Sequence, residues 1–228
     1  MKPRLRFLGK TMNRHHTIIS GTGRAGTTFL MQLFTTLGLD TGYADATSGI
    51  SSNCNAGMEW DIRSPDSHYL VKSPWLCDYL DSVLADGDVV IDRAIIPMRD
   101  LFSAAESRRD VERRSDATLF PDGIHGGLWH TVSPEKQEAV LIRQFYNILH
   151  TLTLHDIPTV LLHFPRIIGD PHYLFEKIRP VIPGIGIHRF LDAFHEVARP
   201  ELVHEFRKPM VSSGVDCTRS RDFAMQHA

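Results

Sequence analysis

Short apolar runs alternate along the chain with stretches of helical period, and that alternation predicts an α/β protein with a mostly parallel central sheet flanked by helices. Thr17 to Ser20 reads as a short buried strand. Thr27 to Leu37 follows as a helix with Phe29, Leu30, Leu33, Phe34 and Leu37 on its apolar stripe. His68 to Lys72 gives a second strand, and Pro74 is placed to start a helix running from Trp75 to Leu84. Asp88 to Arg99 gives a third strand with Val89, Val90, Ile91, Ile95 and Ile96, interrupted near Asp92 and Arg93. Ser133 and Pro134 open a helix with Leu141, Phe145, Ile148, Leu149 and Leu152 on its buried face. Pro158 to Phe164 is the fourth strand, and Asp170 caps a helix from His172 to Ile178. Two polar stretches interrupt this order. Asp40 to Asp66 is expected to be irregular, and Asp116 to Thr131 to form a mobile cover over a site.

Composition narrows the partners. The 228 residues suit a single domain, and Lys plus Arg (25) against Asp plus Glu (27) leaves a net charge of −2. Such a chain has no general basic field, so nucleic acid is not expected as a partner and any anion selectivity must be local. Residues 1–14 carry Lys2, Arg4, Arg6, Lys10 and Arg14 without a following apolar run, which reads as a flexible basic tail and not a targeting signal. No stretch approaches transmembrane length. Cys54, Cys77 and Cys217 are odd in number and widely spaced, which suits a reducing compartment, and a cytoplasmic location is expected. The 13 histidines show no metal-ligand spacing, so no metal is expected.

The densest chemistry lies between the first strand and the first helix. Gly21, Gly23 and Gly26 fit the dinucleotide fingerprint, and Gly21 to Thr28 also fits the frame of a phosphate-binding P-loop. A dinucleotide fold needs a second central strand directly after the helix, ending in an acid for the ribose. Here Gly38-Leu39-Asp40-Thr41-Gly42 follows, too short and glycine-rich for that strand, although Asp40 is at a tolerable distance. A nucleotide-hydrolysing P-loop carries Lys where this chain has Thr27; the cation is Arg24, inside the loop.

Arg24-Ala25-Gly26-Thr27-Thr28 resembles the 5′-phosphate loop of the sulfotransferase family, in which Lys or Arg precedes x-Gly-Thr-Thr. A second likeness lies downstream. Arg99 stands at a strand end and Ser107 eight residues later on a helix, similar to the Arg and Ser with which that family holds the cofactor's 3′-phosphate, although Leu101 replaces the family's usual Pro. Arg offers a forked, permanently charged donor and Ser a hydroxyl, which together suit a dianionic phosphate. Lys72-Ser73-Pro74 resembles a further segment of that family, where Lys72 would assist the leaving sulfonate or hold the acceptor.

The resemblance implies a three-layer P-loop-type domain that transfers a sulfonate group from 3′-phosphoadenosine 5′-phosphosulfate, leaving adenosine 3′,5′-bisphosphate. Gly23, Arg24, Ala25, Gly26, Thr27 and Thr28 would hold the 5′-phosphate, and Arg99 and Ser107 the 3′-phosphate. Glu59, beside Trp60, is the first candidate for the general base, and His68 the second. The acceptor would be a small molecule, a glycan or a lipid-linked intermediate. The Arg108, Arg109, Arg113 and Arg114 run reads as a solvated helix face, and Arg207-Lys208-Pro209 with Ser212-Ser213-Gly214 is a faint echo of a closing loop. A kinase-like phosphotransferase and a non-catalytic nucleotide-binding protein are the alternatives.

Overall fold

A computed structural model describes residues 13–51, 54–115, 124 and 126–206. Its centre is a four-stranded, all-parallel sheet in the order β4-β1-β5-β6, built from β1 (Arg14–Ile19), β4 (Leu70–Lys72), β5 (Val89–Met98) and β6 (Thr159–His163). Because every strand runs the same way, their C-terminal ends share one edge, the edge at which such sheets bind ligands.

Alternation along the strands divides the core. Ile19, Leu70, Ile95 and Leu162 face α1 (Thr27–Thr36), α5 (Arg166–Gly169), α6 (Pro171–Ile178) and α7 (Ile187–Val197). Ile18, Val71, Ala94 and Ile96 point the other way, onto α2 (Leu76–Ala85) and α4 (Gln137–Leu154). The strands are therefore apolar on both faces, as a parallel sheet between helices requires. The remaining long helix, α3 (Leu101–Arg114), leaves β5 directly and starts on Asp100, whose side chain accepts from Ser103 N at 2.9 Å. Asp170 caps α6 in the same manner, accepting from Tyr173 N at 2.9 Å.

Several expectations change in detail. Arg14 belongs to β1 and not to the tail, because its guanidinium donates to Ile62 O at 3.0 Å, Ser64 O at 2.6 Å and Ser67 Oγ at 2.8 Å. The interruption near Asp92 is a bulge: His16 pairs with Ile91 and Thr17 with Arg93, so Asp92 is skipped and β5 continues. The segment read as irregular holds a small hairpin, β2 (Ile50–Ser51) with β3 (Ala56–Gly57), too short for periodicity to reveal. Ser133 makes no side-chain cap; Pro134–Lys136 forms a 3-10 turn and α4 begins at Gln137. Residues 1–12, most of the expected cover, Cys217 and the Arg207 to Gly214 echo lie outside the described residues. No described helix is long and apolar enough to cross a membrane.

One buried group gives the fold a pH dependence. His16 is 2% exposed, its Nδ1 lies 2.7 Å from His68 O, and its Nε2 has no partner. Burial holds its pKa below the ordinary histidine value, outweighing the opposite pull of the His68 carbonyl. On acidification the unfolded chain takes up a proton near pH ~6.5 that the folded chain refuses until the pH is lower, so stability falls across that window. Melting temperatures measured from about pH 7.5 to about pH 5 should fall more steeply for the wild type than for His16→Gln. Parallel curves would remove His16 as the cause.

Candidate functional site

The loop after β1 is shaped by left-handed backbone. Gly23 (φ 65°), Arg24 (φ 55°) and Gly26 (φ 82°) all have positive φ, and Arg24 adopts it without the freedom of glycine. Such strain persists only where the surroundings impose it. Here Arg24 Nη1 donates to Cys54 O at 2.7 Å and Nε to Ser107 Oγ at 3.1 Å, while Arg99 Nη1 donates to Arg24 O at 3.0 Å. Gly26 is needed for space as well, since a Cβ there would lie 3.0 Å from the Phe164 ring.

Gly26 begins α1, whose first hydrogen bond runs from Leu30 N to Gly26 O at 3.1 Å. The N–H groups of Thr27, Thr28 and Phe29 are left over by the helix, and they carry its partial positive charge. No acidic side chain occupies that first turn. A loop of this shape is suited to an anion.

A cavity of about 440 Å³ opens on this loop at the C-terminal edge of the sheet. Gly23, Arg24, Gly26, Thr27, Thr28, Glu59, Lys72, Arg99 and Ser107 all line it. The structure thus brings together nearly all the residues singled out in the sequence. Ala25 lies beneath the loop, fully buried in the apolar core. His68 is not in the cavity wall: its Nδ1 meets Asp40 Oδ1 at 2.7 Å and its ring packs on Trp60 at 4.9 Å. Asp40 also accepts from Tyr69 N at 2.9 Å, so the carboxylate that a dinucleotide reading would use is turned away from the cavity.

Lys72 ends β4 and is 3% exposed. Its Nζ donates to Glu59 Oε1 at 2.7 Å, Gly57 O at 2.5 Å and Thr28 Oγ1 at 3.0 Å. A backbone bond outside the hairpin, from Trp60 N to Lys72 O at 3.0 Å, holds the Glu59 segment alongside β4. Burial lowers the lysine's pKa, and Glu59 opposes that shift. Trp60, next to Glu59 in sequence, turns its ring to Tyr43 and His68, and its Nε1 donates to Thr41 O at 3.0 Å.

The charge of the wall is one-sided. Arg24, Arg99, Arg108, Arg114, Arg199 and Lys72 line it against a single carboxylate, Glu59, among the described residues. Arg99 donates through Nη1 to Arg24 O and through Nη2 to His204 O, and lies over the Phe164 ring at 5.0 Å. Burial, and then the charge of Arg24, bring the Arg99 pKa down to about 10 and that of Arg108 to about 9. Arg24 is lowered as well, chiefly by burial. The three guanidiniums remain charged at neutral pH, and their closeness adds a like-charge repulsion that an incoming anion relieves.

A solvated helix face, as the arginine run suggests, hides Arg108 as a site residue. That reading suits Arg113 and Arg114, whose side chains are more than half exposed, but not Arg109, which is held between Glu106 and Glu138. It fails for Arg108, which is 6% exposed. The signal was present: Ala104, Ser107, Arg108 and Val111 fall at i, i+3, i+4 and i+7 and form the buried stripe of α3. Comparison of the chain with protein-family models, with curated proteins and with solved structures finds no significant match.

Proposed function

We propose that the chain is a sulfotransferase with a three-layer, P-loop-type domain, transferring a sulfonate group from 3′-phosphoadenosine 5′-phosphosulfate to a hydroxyl or amine of a small-molecule, glycan or lipid-linked acceptor. One observation carries the reading. Two motifs far apart in the sequence, the loop at Arg24 and the Arg99 and Ser107 pair, meet on one cavity wall through two hydrogen bonds, Arg24 Nε to Ser107 Oγ and Arg99 Nη1 to Arg24 O. An accidental match of either motif gives no reason for that meeting.

The residues present fit the cofactor's charges. The leftover N–H groups at the start of α1, with Gly23 to Thr28, suit a 5′-phosphate; Arg99 and Ser107 suit a 3′-phosphate. When bound, the cofactor supplies the transferable sulfonate and departs as adenosine 3′,5′-bisphosphate. Arg24 stabilises negative charge that develops at the loop, a fixed donor acting in a partly buried site. Lys72 holds Glu59 by Oε1 and so presents the carboxylate to the cavity, where it accepts the proton of the acceptor's hydroxyl or amine.

A phosphotransferase reading is favoured by one contact: Lys72 Nζ reaches Thr28 Oγ1 at 3.0 Å, which brings a lysine to the loop although none lies within it. Thermal shift separates the two readings, since at a given concentration the tighter ligand stabilises the folded protein more. Adenosine 3′,5′-bisphosphate should raise the melting temperature without added metal, and ATP and NAD should raise it weakly or not at all. Strong stabilisation by ATP, and only with Mg²⁺, would favour the phosphotransferase.

A further inference from the structure

Arg108 is the most buried arginine of the cavity wall, and neither cofactor motif accounts for it. Its Nη2 donates to Thr22 O at 2.8 Å, directly before Gly23, and its Nη1 to Gly127 O at 2.9 Å. The guanidinium also lies over the Trp129 ring at 4.8 Å. Two separate stretches of chain, the glycine loop and Gly126 to Trp129, are thus joined through one side chain that grows from α3. Its Nε has no hydrogen-bond partner, and no described carboxylate pairs with it. Gly23 is shaped around it, since a Cβ at that position would lie 2.5 Å from Arg108 Nη2.

A buried guanidinium that holds only carbonyl oxygens keeps its full charge, and that charge is costly until an anion approaches. Arg24 is the next cation along the same wall, so the first anion to enter the loop relieves both. We propose that Arg108 is a positioning residue for anion binding: its charge is compensated only by the bound anion, and its fork couples the glycine loop to Gly126 to Trp129 so that occupancy of the loop orders both. The proposal rests on the anion-binding part of the sulfotransferase reading and not on the identity of the nucleotide or the reaction.

The segment it would order is tied elsewhere too. Leu128 N donates to Glu112 Oε2 at 2.9 Å and Trp129 N to Gln137 Oε1 at 2.7 Å, so loss of Arg108 leaves it attached and measurable. Arg108→Met fills much of the same space without charge or donors. Arg108→Lys keeps the charge but cannot bridge Thr22 O and Gly127 O as a planar fork does.

The experiment is metal-free titration with inorganic pyrophosphate, combined with hydrogen exchange, on the wild type, Arg108→Met and Arg108→Lys. In the wild type, pyrophosphate should slow exchange both in Gly21 to Thr28 and in Gly126 to Trp129. In Arg108→Met affinity should fall by about tenfold or more. At saturating pyrophosphate the glycine loop should still be protected in that variant, and Gly126 to Trp129 should not. Arg108→Lys should recover part of the affinity and little of the second protection. If Arg108→Met fails to fold, Arg108→Lys alone decides, and wild-type affinity with both protections intact would overturn the proposal. So would a wild type in which pyrophosphate protects neither segment. Both protections present, with adenosine 3′,5′-bisphosphate bound no better than AMP, would leave Arg108 in its role and remove the sulfotransferase reading instead.

Discussion

Arg99→Ala is expected to weaken adenosine 3′,5′-bisphosphate by about tenfold to a hundredfold and AMP far less, because charge-assisted hydrogen bonds contribute roughly 1.5–3 kcal/mol each. The two ligands differ only in the 3′-phosphate. Arg99 is held by carbonyl oxygens of Arg24 and His204 and backed by the Phe164 ring, so its charge is fixed in place before a ligand arrives. Ser107→Ala should show the same selectivity with a smaller loss, since a neutral hydroxyl contributes less. Arg24→Ala should weaken both ligands, because Arg24 belongs to the loop. These losses will not add: the Arg24 side chain donates to Ser107 and its backbone carbonyl accepts from Arg99, so the three residues are coupled. Calorimetric titration of both ligands against each variant measures the pattern. Equal losses for AMP and the bisphosphate in Arg99→Ala would mean that Arg99 does not recognise a 3′-phosphate.

The second large effect concerns Lys72 and Glu59, and it should appear in stability as well as in turnover. Removing one member of a buried ion pair costs about 3–5 kcal/mol, because the other is left without compensation. Lys72→Ala deprives Glu59 Oε1, Gly57 O and Thr28 Oγ1 of their shared donor, and Glu59 is only 24% exposed. The expected loss lies near the low end of that range, since water can reach part of the carboxylate. Glu59→Gln keeps the shape and a hydrogen-bond acceptor for Lys72 but cannot take up a proton. It should lower turnover by about a hundredfold or more while bisphosphate affinity stays nearly unchanged. Urea unfolding of Lys72→Ala, Glu59→Gln and the double variant Lys72→Met with Glu59→Gln separates structure from chemistry. The double variant should regain stability relative to Lys72→Ala without regaining turnover. Wild-type turnover in Glu59→Gln would discard the carboxylate as the base.

What the sequence revealed of this site, and what it concealed, follows from the range of the interactions involved. The glycine loop and the helix after it are local, so spacing and composition disclosed them, and strand ends at Lys72 and Arg99 followed from apolar runs of ordinary length. The hairpin at Ile50–Ser51 and Ala56–Gly57 was hidden because two-residue strands carry no period. The bond from Trp60 N to Lys72 O, which holds Glu59 alongside β4, was hidden as well, because it joins residues of two separate segments. Glu59 and Trp60 are adjacent in sequence, but side chains on neighbouring extended residues point apart, and Trp60 faces Tyr43 and His68. His68 was a candidate by residue type alone. It stands near the start of β4 and pairs with Asp40, whereas the cavity lies at the other end of that strand. Arg108 shows a different limit. Charge suggested solvent, while helical period placed it with Ala104, Ser107 and Val111. The period prevailed because Thr22 O, Gly127 O and the Trp129 ring receive the guanidinium.

The most direct measurement is calorimetric titration of the wild-type protein in a chelator, comparing adenosine 3′,5′-bisphosphate with AMP. A site built for the sulfotransferase cofactor binds the bisphosphate at least about tenfold more tightly, the difference due to one charge-assisted phosphate contact, and does so without a divalent ion. Equal affinities, or binding of either nucleotide only when Mg²⁺ is restored, would contradict it.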